Sequence, residues 1–384
     1  MLVDFNDEIL IPDDVENFAV VACDQFSANP EYWRALEKEL SPETSALGLI
    51  LPECFLHETD ARLAEIKRNA AVMSENGLFK PVRGAVAVTR TTVYGRERRG
   101  IVASVDLDEY DYKPNNAALI RASERTIEER IPPRVRIRRA IDWELPHILL
   151  LVDDRERLLE KAVDSARKTT LYDCDLKGGG GHIKGELIDD CDGLCAAADG
   201  IIAAAADRFG TRLFALVGDG NHSLATAKYC REHFPTASNG RALVEIINVY
   251  DDGLVFEPIH RLVKVDDPVM FTDSFKAAIK GDATTELYAG DACVTVNVPS
   301  DKIAAINAVD KFCETFVKHF GGSIEYVHGE SALKQAGSVG IRVRGIEKSE
   351  LFAYVLKNGV LPKKTFSLGE AEEKRFYIEA RKIN

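Results

Sequence analysis

The chain has no C-x-x-C pair, and its eight cysteines are scattered singly through 384 residues, with Cys191 and Cys195 closest together. This spacing gives no support to a zinc ribbon or a dithiol redox motif, and small buried hydrophobes are the plain reading of the thiols. Long apolar runs are also missing. The longest patches, residues 148–152 and the alanine-rich 200–206, fall far short of the roughly 20 residues that a membrane-spanning helix needs. The opening MLVDFNDEIL lacks a basic stretch followed by an apolar core, so no secretory signal is read there and a cytoplasmic protein is expected. Positive charge is scarce: 49 Lys+Arg face 62 Asp+Glu, a formal net charge of −13. Affinity for nucleic acid comes mainly from neutralising phosphates, so nucleic acid is a poor partner and a small molecule a better one. No G-x-S-x-G, H-E-x-x-H, EF-hand or protein-kinase signature occurs, and the folds those motifs mark are left unsupported.

What is present is an ordinary globular composition, 46% hydrophobic and 29% charged, in a chain long enough for about two to three domains. β-Branched segments at 83–93 and 99–107 flank a turn at 95–98 and predict a hairpin. Asn29 followed by Pro30 predicts the start of a helix running to about residue 40, and a second helix is expected over 60–75. Further on, strands at 18–23, 146–152, 170–176, 183–188, 212–217 and 243–250 alternate with helices at 155–168, 191–209 and 221–234. Hairpins mixed with β-α-β units predict an α/β (α+β) fold on a mixed sheet. A main α/β domain is expected over 1–265 and a smaller α+β region over 266–384, where the texture shifts to a strand pair near 286–298 and a helix at 301–320.

The strongest chemical signal is LFALVGDGNHSLATAKYCREHF at 213–234. An apolar strand ends in Gly218-Asp219-Gly220, and a helix follows at once. Such a turn lets the backbone approach a ligand, and the helix head offers free N–H groups and positive partial charge to an anion. Asp219 adds a metal ligand or base, and Asn221, His222 and Ser223 add an amide, an imidazole and a hydroxyl. The plain alternative is that Asp219 or Asn221 caps the helix. A four-glycine loop leading to Gly180, Gly181 and His182 is a second candidate, weighed against a simple connector. Residues 121–139 hold seven arginines against three glutamates, an excess suited to phosphate or carboxylate, although most such helices are only laced with ion pairs. His260-Arg261 after a strand is a weaker signal of the same kind. Asp24 and Gln25 follow a buried strand, where open sheets present ligand groups.

Taken together, VACDQFSANPEYW (21–33), SERTIEERIPPRVRIRRA (123–140), LYDCDLKGGGGHIKGELI (171–188), VGDGNHSLATAK (217–228), EPIHRL (257–262) and KKTFSLGEAEEKRFYIEARKI (363–383) resemble domain-of-unknown-function family 1015. The resemblance implies a ParB/sulfiredoxin-like element around 212–250, whose D-G-x-H turn contacts phosphate, and kinship with nucleotide-dependent free serine kinases. Those relatives usually read D-G-H-H-R, whereas this chain reads Asp219-Gly220-Asn221-His222-Ser223 and so loses a permanent positive charge. Either another cation such as Arg121, Arg261 or Lys184 restores it, or the activity differs. The implied activity is transfer of a phosphoryl group from ATP or ADP, with Mg²⁺, to a small hydroxyl metabolite such as serine. A nucleotide-binding switch without turnover and a phosphohydrolase are the rival readings. Residues 220–223 with Arg121, Gly180, Gly181, His182, His260 and Arg261 would bind phosphate or nucleotide, and Asp219 would hold the metal. His222 would steady the transferring group, and Asp24 or Glu124 would take the hydroxyl proton. Asp24, Glu124, Asp219, His222 and Arg261 are expected to gather around one cavity.

Overall fold

The computed structural model describes residues 1–26 and 29–384; Ser27 and Ala28, inside the family-like segment 21–33, lie outside the described residues. The chain divides into two compact units, Met1–Leu254 with Ala371–Asn384, and Val255–Glu370. The division expected at residue 265 therefore differs at both ends, because the chain leaves the first unit at Leu254 and returns to it after Glu370.

Ten strands form the main sheet of the first unit. They are β1 (Val3–Asp4), β2 (Ala85–Thr91), β3 (Glu97–Asp106), β4 (Tyr110–Asp111), β5 (Ile120–Ala122), β6 (Leu149–Val152), β7 (Thr169–Leu176), β8 (Gly181–Ile188), β9 (Ala215–Asp219) and β10 (Arg241–Asn248). The order is β7-β8-β2-β3-β10-β6-β9-β5-β4, with β1 on β3. Pairing is antiparallel from β7 through β10, parallel between β10 and β6, antiparallel between β6 and β9, and parallel from β9 to β4. The sheet is thus mixed, and the expected hairpin is β2–β3.

The helices of this unit are α1 (Pro30–Glu39), α2 (Thr59–Glu75), α3 (Ile131–Arg138), α4 (Leu158–Ser165), α5 (Asp192–Phe209) and α6 (Asn221–His233). Asn29 caps α1 by accepting from the Tyr32 N–H, with Pro30 in the first turn. The apolar residues of α4, α5 and α6 pack on the sheet in one core with Leu150, Val217 and Ile246, while Trp33 and Met73 join a second core with Val86, Val102 and Tyr377. The strand expected over 18–23 shrinks to Val20–Val21, because Asp14 caps a helical turn over Val15–Phe18 just before it.

Buried charge explains why the C-terminal segment belongs to this unit. Arg375, 3% exposed, pairs with Glu245 on β10 and with Glu379, and Tyr172 on β7 also donates to Glu379. Arg90 on β2 donates to the carbonyls of Glu372 and Lys374 at 2.7 and 2.9 Å, and Arg98 on β3 to that of Glu373 at 3.1 Å. None of these groups could be left buried without its partner. Phe376–Tyr377 then pairs with Val20–Val21.

In the second unit, strands β11 (His260–Lys264), β12 (Ala283–Ala289), β13 (Ala292–Val298), β14 (Ser323–Val327) and β15 (Ser338–Ile341) make an antiparallel sheet of order β13-β12-β15-β11-β14. Phe271 and Phe275 from a helix over Pro268–Ala278, and Phe316 from a helix over Lys302–Phe320, pack on Val263, Leu287 and Ile341 of this sheet. Among the described residues no helix is long and apolar enough to cross a membrane.

Candidate functional site

Asp219 ends β9, and Gly220 turns the chain into α6 with φ +78°. That backbone is left-handed, and a Cβ on Gly220 would sit 2.9 Å from Ile148 Cα. Glycine is required here on both counts. Gly220→Ala is expected to destabilise the fold by at least roughly 1–2 kcal/mol, the left-handed penalty alone, as read by urea denaturation.

The first bond within α6 runs from the Leu224 N–H to the Gly220 carbonyl, and among the described residues no side chain caps the helix. The N–H groups of residues 221–223 consequently have no partner inside the helix, and they sit at its positive end. Asn221 contributes a buried carboxamide oxygen with no hydrogen-bond partner among the described residues. One oxygen of Asp219 accepts from the Gly220 N–H at 2.8 Å, and the other lies 3.2 Å from Lys374 Nζ. Lys374, whose side chain is 8% exposed, is thus the cation that the C-terminal segment brings to this turn.

A second set of polar groups meets the first turn of α6. Ser223 Oγ is 3.4 Å from His147 Nε2, and Asp24 Oδ1 is 3.8 Å from the same nitrogen. The other ring nitrogen, Nδ1, is 2.9 Å from the Tyr377 hydroxyl, which also accepts from the Cys23 N–H at 3.2 Å and donates to Cys23 Sγ at 3.0 Å. If the phenol gives its proton to Nδ1 instead, Nε2 carries the hydrogen toward Asp24 and Ser223. Burial, with Asp24 adding to it, pushes the Cys23 thiol up to about 11, so it stays protonated and is no nucleophile at neutral pH.

His147, Ser223, Tyr377 and Cys23 form the polar end of a cavity of about 130 Å³. Its remaining wall is largely apolar, with Leu49, Leu51, Ile137, Ile141, Trp143 and Leu145 among the contributors. Two ion pairs, Arg134–Glu53 and Arg138–Glu144, also border it.

The other residues singled out from sequence fall as follows. His222 Nε2 accepts from the Ile127 N–H at 3.2 Å and so pins the loop that carries half-buried Glu124. Glu124 follows β5, whose Ala122 is in register with Val217 of β9, so Glu124 and Asp219 leave the sheet at the same edge. Arg121 points the other way, donating to the carbonyls of Ala118 and Arg212 at 2.8 and 3.3 Å. Lys184 pairs with Glu186 at 2.8 Å. In the second unit, Arg261 is fully buried; it forks onto Asp310 at 2.7 and 2.9 Å and donates to the carbonyls of Ile259 and Lys364. His260 Nδ1 accepts from the Val343 N–H at 3.1 Å, and burial lowers its pKa. Both are thus engaged within their own unit. None of Asp24, Glu124, Asp219, His222 and Arg261 borders the cavity described above; Ser223 does, beside His147, Tyr377 and Cys23, which were not singled out as site residues.

The four-glycine loop is the tip of the β7–β8 hairpin. The Gly180 carbonyl accepts two bonds from Arg90, at 3.0 and 2.6 Å, and a Cβ there would lie 2.6 Å from the Phe376 ring. Gly180 is thereby accounted for by packing, and Gly178, Gly179 and Gly181 by their left-handed backbone in the turn. His182 on β8 lies 2.7 Å from both Asp175 and Asp173, and those contacts raise its pKa. An imidazole between two carboxylates is a poor phosphate ligand. The raised value stabilises the fold below the unfolded-state pKa of about 6.5 and the effect fades as pH rises through the folded value. His182→Gln is therefore expected to lower Tm at about pH 5 and to leave it unchanged near about pH 9.

With this geometry in hand, residues 8–359 match the family described as a protein of unknown function (DUF1015). The chain belongs to that family. No curated protein matches the sequence. Among solved structures, this family member is similar to a conserved hypothetical protein from Pyrococcus furiosus, with 12% identity and a TM-score of 0.40 over 74% of this chain and 95% of that one. A C-terminally truncated SbnI from Staphylococcus aureus gives 11% and 0.38 over 72% and 82%. A free serine kinase in complex with AMP gives 12% and 0.39 over 74% and 91%. Likeness at this level says nothing about activity.

Proposed function

We propose that this protein transfers a phosphoryl group from a nucleotide, ATP or ADP, to the hydroxyl of a small metabolite. The observation that carries the reading is the uncapped head of α6, where backbone N–H groups, the unmatched Asn221 amide and Lys374 converge beside an Asp24–His147–Ser223 cluster. Phosphoryl transfer asks mainly for positioning and charge neutralisation. In this reading the N–H groups of residues 221–223 hold the phosphate, and Lys374 supplies the charge that Ser223 lacks. His147 takes the hydroxyl proton at Nε2, in the tautomer whose Nδ1–H donates to the Tyr377 oxygen, and Asp24, 3.8 Å from Nε2, steadies the imidazolium that forms. His222 positions the 123–127 loop through the Ile127 N–H rather than touching the transferring group. Glu124 and Arg261 receive no catalytic role.

Before nucleotide binds, Asp219 does not fit the role of a metal ligand. Both its oxygens are engaged, one by the Gly220 N–H and one by Lys374, and among the described residues no group of three or more His, Cys, Asp or Glu side chains could hold a metal ion. No step is assigned to a protein-held Mg²⁺.

The test incubates purified protein with ATP or ADP, with and without Mg²⁺, and a panel of hydroxyl metabolites that includes free serine. A phosphorylated metabolite formed in step with nucleotide consumption supports the proposal. Nucleotide loss without an acceptor product would instead indicate a phosphohydrolase, and binding without turnover a switch.

A further inference from the structure

We propose that the cavity at the first turn of α6 is the acceptor subsite, and that it takes a neutral alcohol with a compact hydrocarbon body rather than a zwitterionic amino acid. The inference rests on the phosphoryl-transfer reading for what happens to the hydroxyl, but the cavity's selectivity follows from its own walls.

Polar groups cluster at one end, where Ser223, His147 and Tyr377 meet. A ligand hydroxyl placed there faces Nε2 of His147, with Asp24 3.8 Å beyond that nitrogen. The apolar part of the wall, to which Leu49, Leu51, Ile137, Ile141, Leu145 and Trp143 contribute, offers a hydrocarbon body dispersion contacts. The volume of about 130 Å³ sets the size, since an apolar protein cavity of about 150 Å³ accepts benzene.

The charged groups on the wall decide against a zwitterion. Arg134 is paired with Glu53 and Arg138 with Glu144. Glu144 is further committed, accepting from the Leu243 N–H at 2.8 Å and lying 3.4 Å from an Arg381 nitrogen. An ammonium and a carboxylate entering here would have to open pairs that already satisfy each other, and burying them unpaired is costly. A neutral body asks for none of this. Cys23 adds no charge, because its thiol stays protonated.

The test uses cyclohexanol as the probe and L-serine as the zwitterionic control, with binding to the full chain followed by ligand-observed NMR in the absence of nucleotide. Saturable cyclohexanol binding is expected, weakened about tenfold or more in Ile141→Phe, which fills the cavity, and in Leu51→Phe, which fills it from another segment. L-serine is expected to compete at least about tenfold more weakly than cyclohexanol. Cyclohexanol binding unchanged in a folded cavity-filling variant would overturn the assignment, as would displacement of cyclohexanol by L-serine at equal concentration. Because this readout needs no nucleotide, its failure is distinguishable from failure of phosphoryl transfer, which the turnover assay reads separately.

Discussion

Lys374→Met is expected to lower phosphoryl-transfer turnover by about a hundredfold or more, the usual loss when a preorganised charge-stabilising donor is removed. The ammonium lies 3.2 Å from Asp219 with its side chain 8% exposed, so little water is available to replace it. The same change strands the Asp219 carboxylate, and a fall in Tm is expected as well. The two effects separate in the double variant. Adding Asp219→Asn removes the stranded charge and keeps the hydrogen bond from the Gly220 N–H, so Tm should recover while turnover stays low. Steady-state rates and melting curves on the single and double variants check this. Recovery of turnover together with Tm would mean that Lys374 serves only the fold.

Arg375→Met is expected to destabilise the first unit by about 3–5 kcal/mol, as removal of one partner from a buried ion pair does. Glu245 is 1% exposed and Glu379 fully buried, and Arg375 is paired with both. Burial by itself would raise the Glu245 pKa, but the guanidinium groups of Arg375 and Arg98 more than offset it and hold the carboxyl below its ordinary value. A lowered carboxylate contributes its stability above the unfolded-state pKa and loses it as pH falls through the folded one. The gap between wild type and Arg375→Met should accordingly be full at neutral pH and shrink in acid, which urea titrations at several pH values measure. Turnover is expected to fall too, since the segment held by Arg375 also carries Lys374 and Tyr377.

Local rules carried much of this architecture. The Asn29-Pro30 start of α1, the β2–β3 hairpin and the strand–glycine–helix succession at 215–233 all follow from caps, β-branching and periodicity within short windows. The head of α6 was legible for the same reason. His147 was not, because it lies ahead of a strand and no glycine turn or charge excess marks it. It precedes β6, and β6 runs antiparallel to β9, which brings the amino end of one strand to the carboxyl end of the other. Lys374 and Tyr377 lay inside a family-like segment, but their place depends on buried pairs to Glu245, Arg90 and Arg98 that are remote in sequence. Spacing cannot reveal such pairs. The charge excess of 121–139 suited a phosphate, but ion pairing was the favoured reading on composition, and Arg134, Arg136 and Arg138 are indeed paired with Glu53, Asp60 and Glu144. The four-glycine loop was ambiguous for a related reason, since close packing and ligand approach both demand glycine.

The most direct test of the account is a crystal structure of the protein with ADP bound. The terminal phosphate is expected within hydrogen-bond distance of the backbone N–H groups of residues 221–223, with Lys374 Nζ turned from Asp219 toward it. A nucleotide bound elsewhere, with the head of α6 untouched and Lys374 still on Asp219, would contradict it.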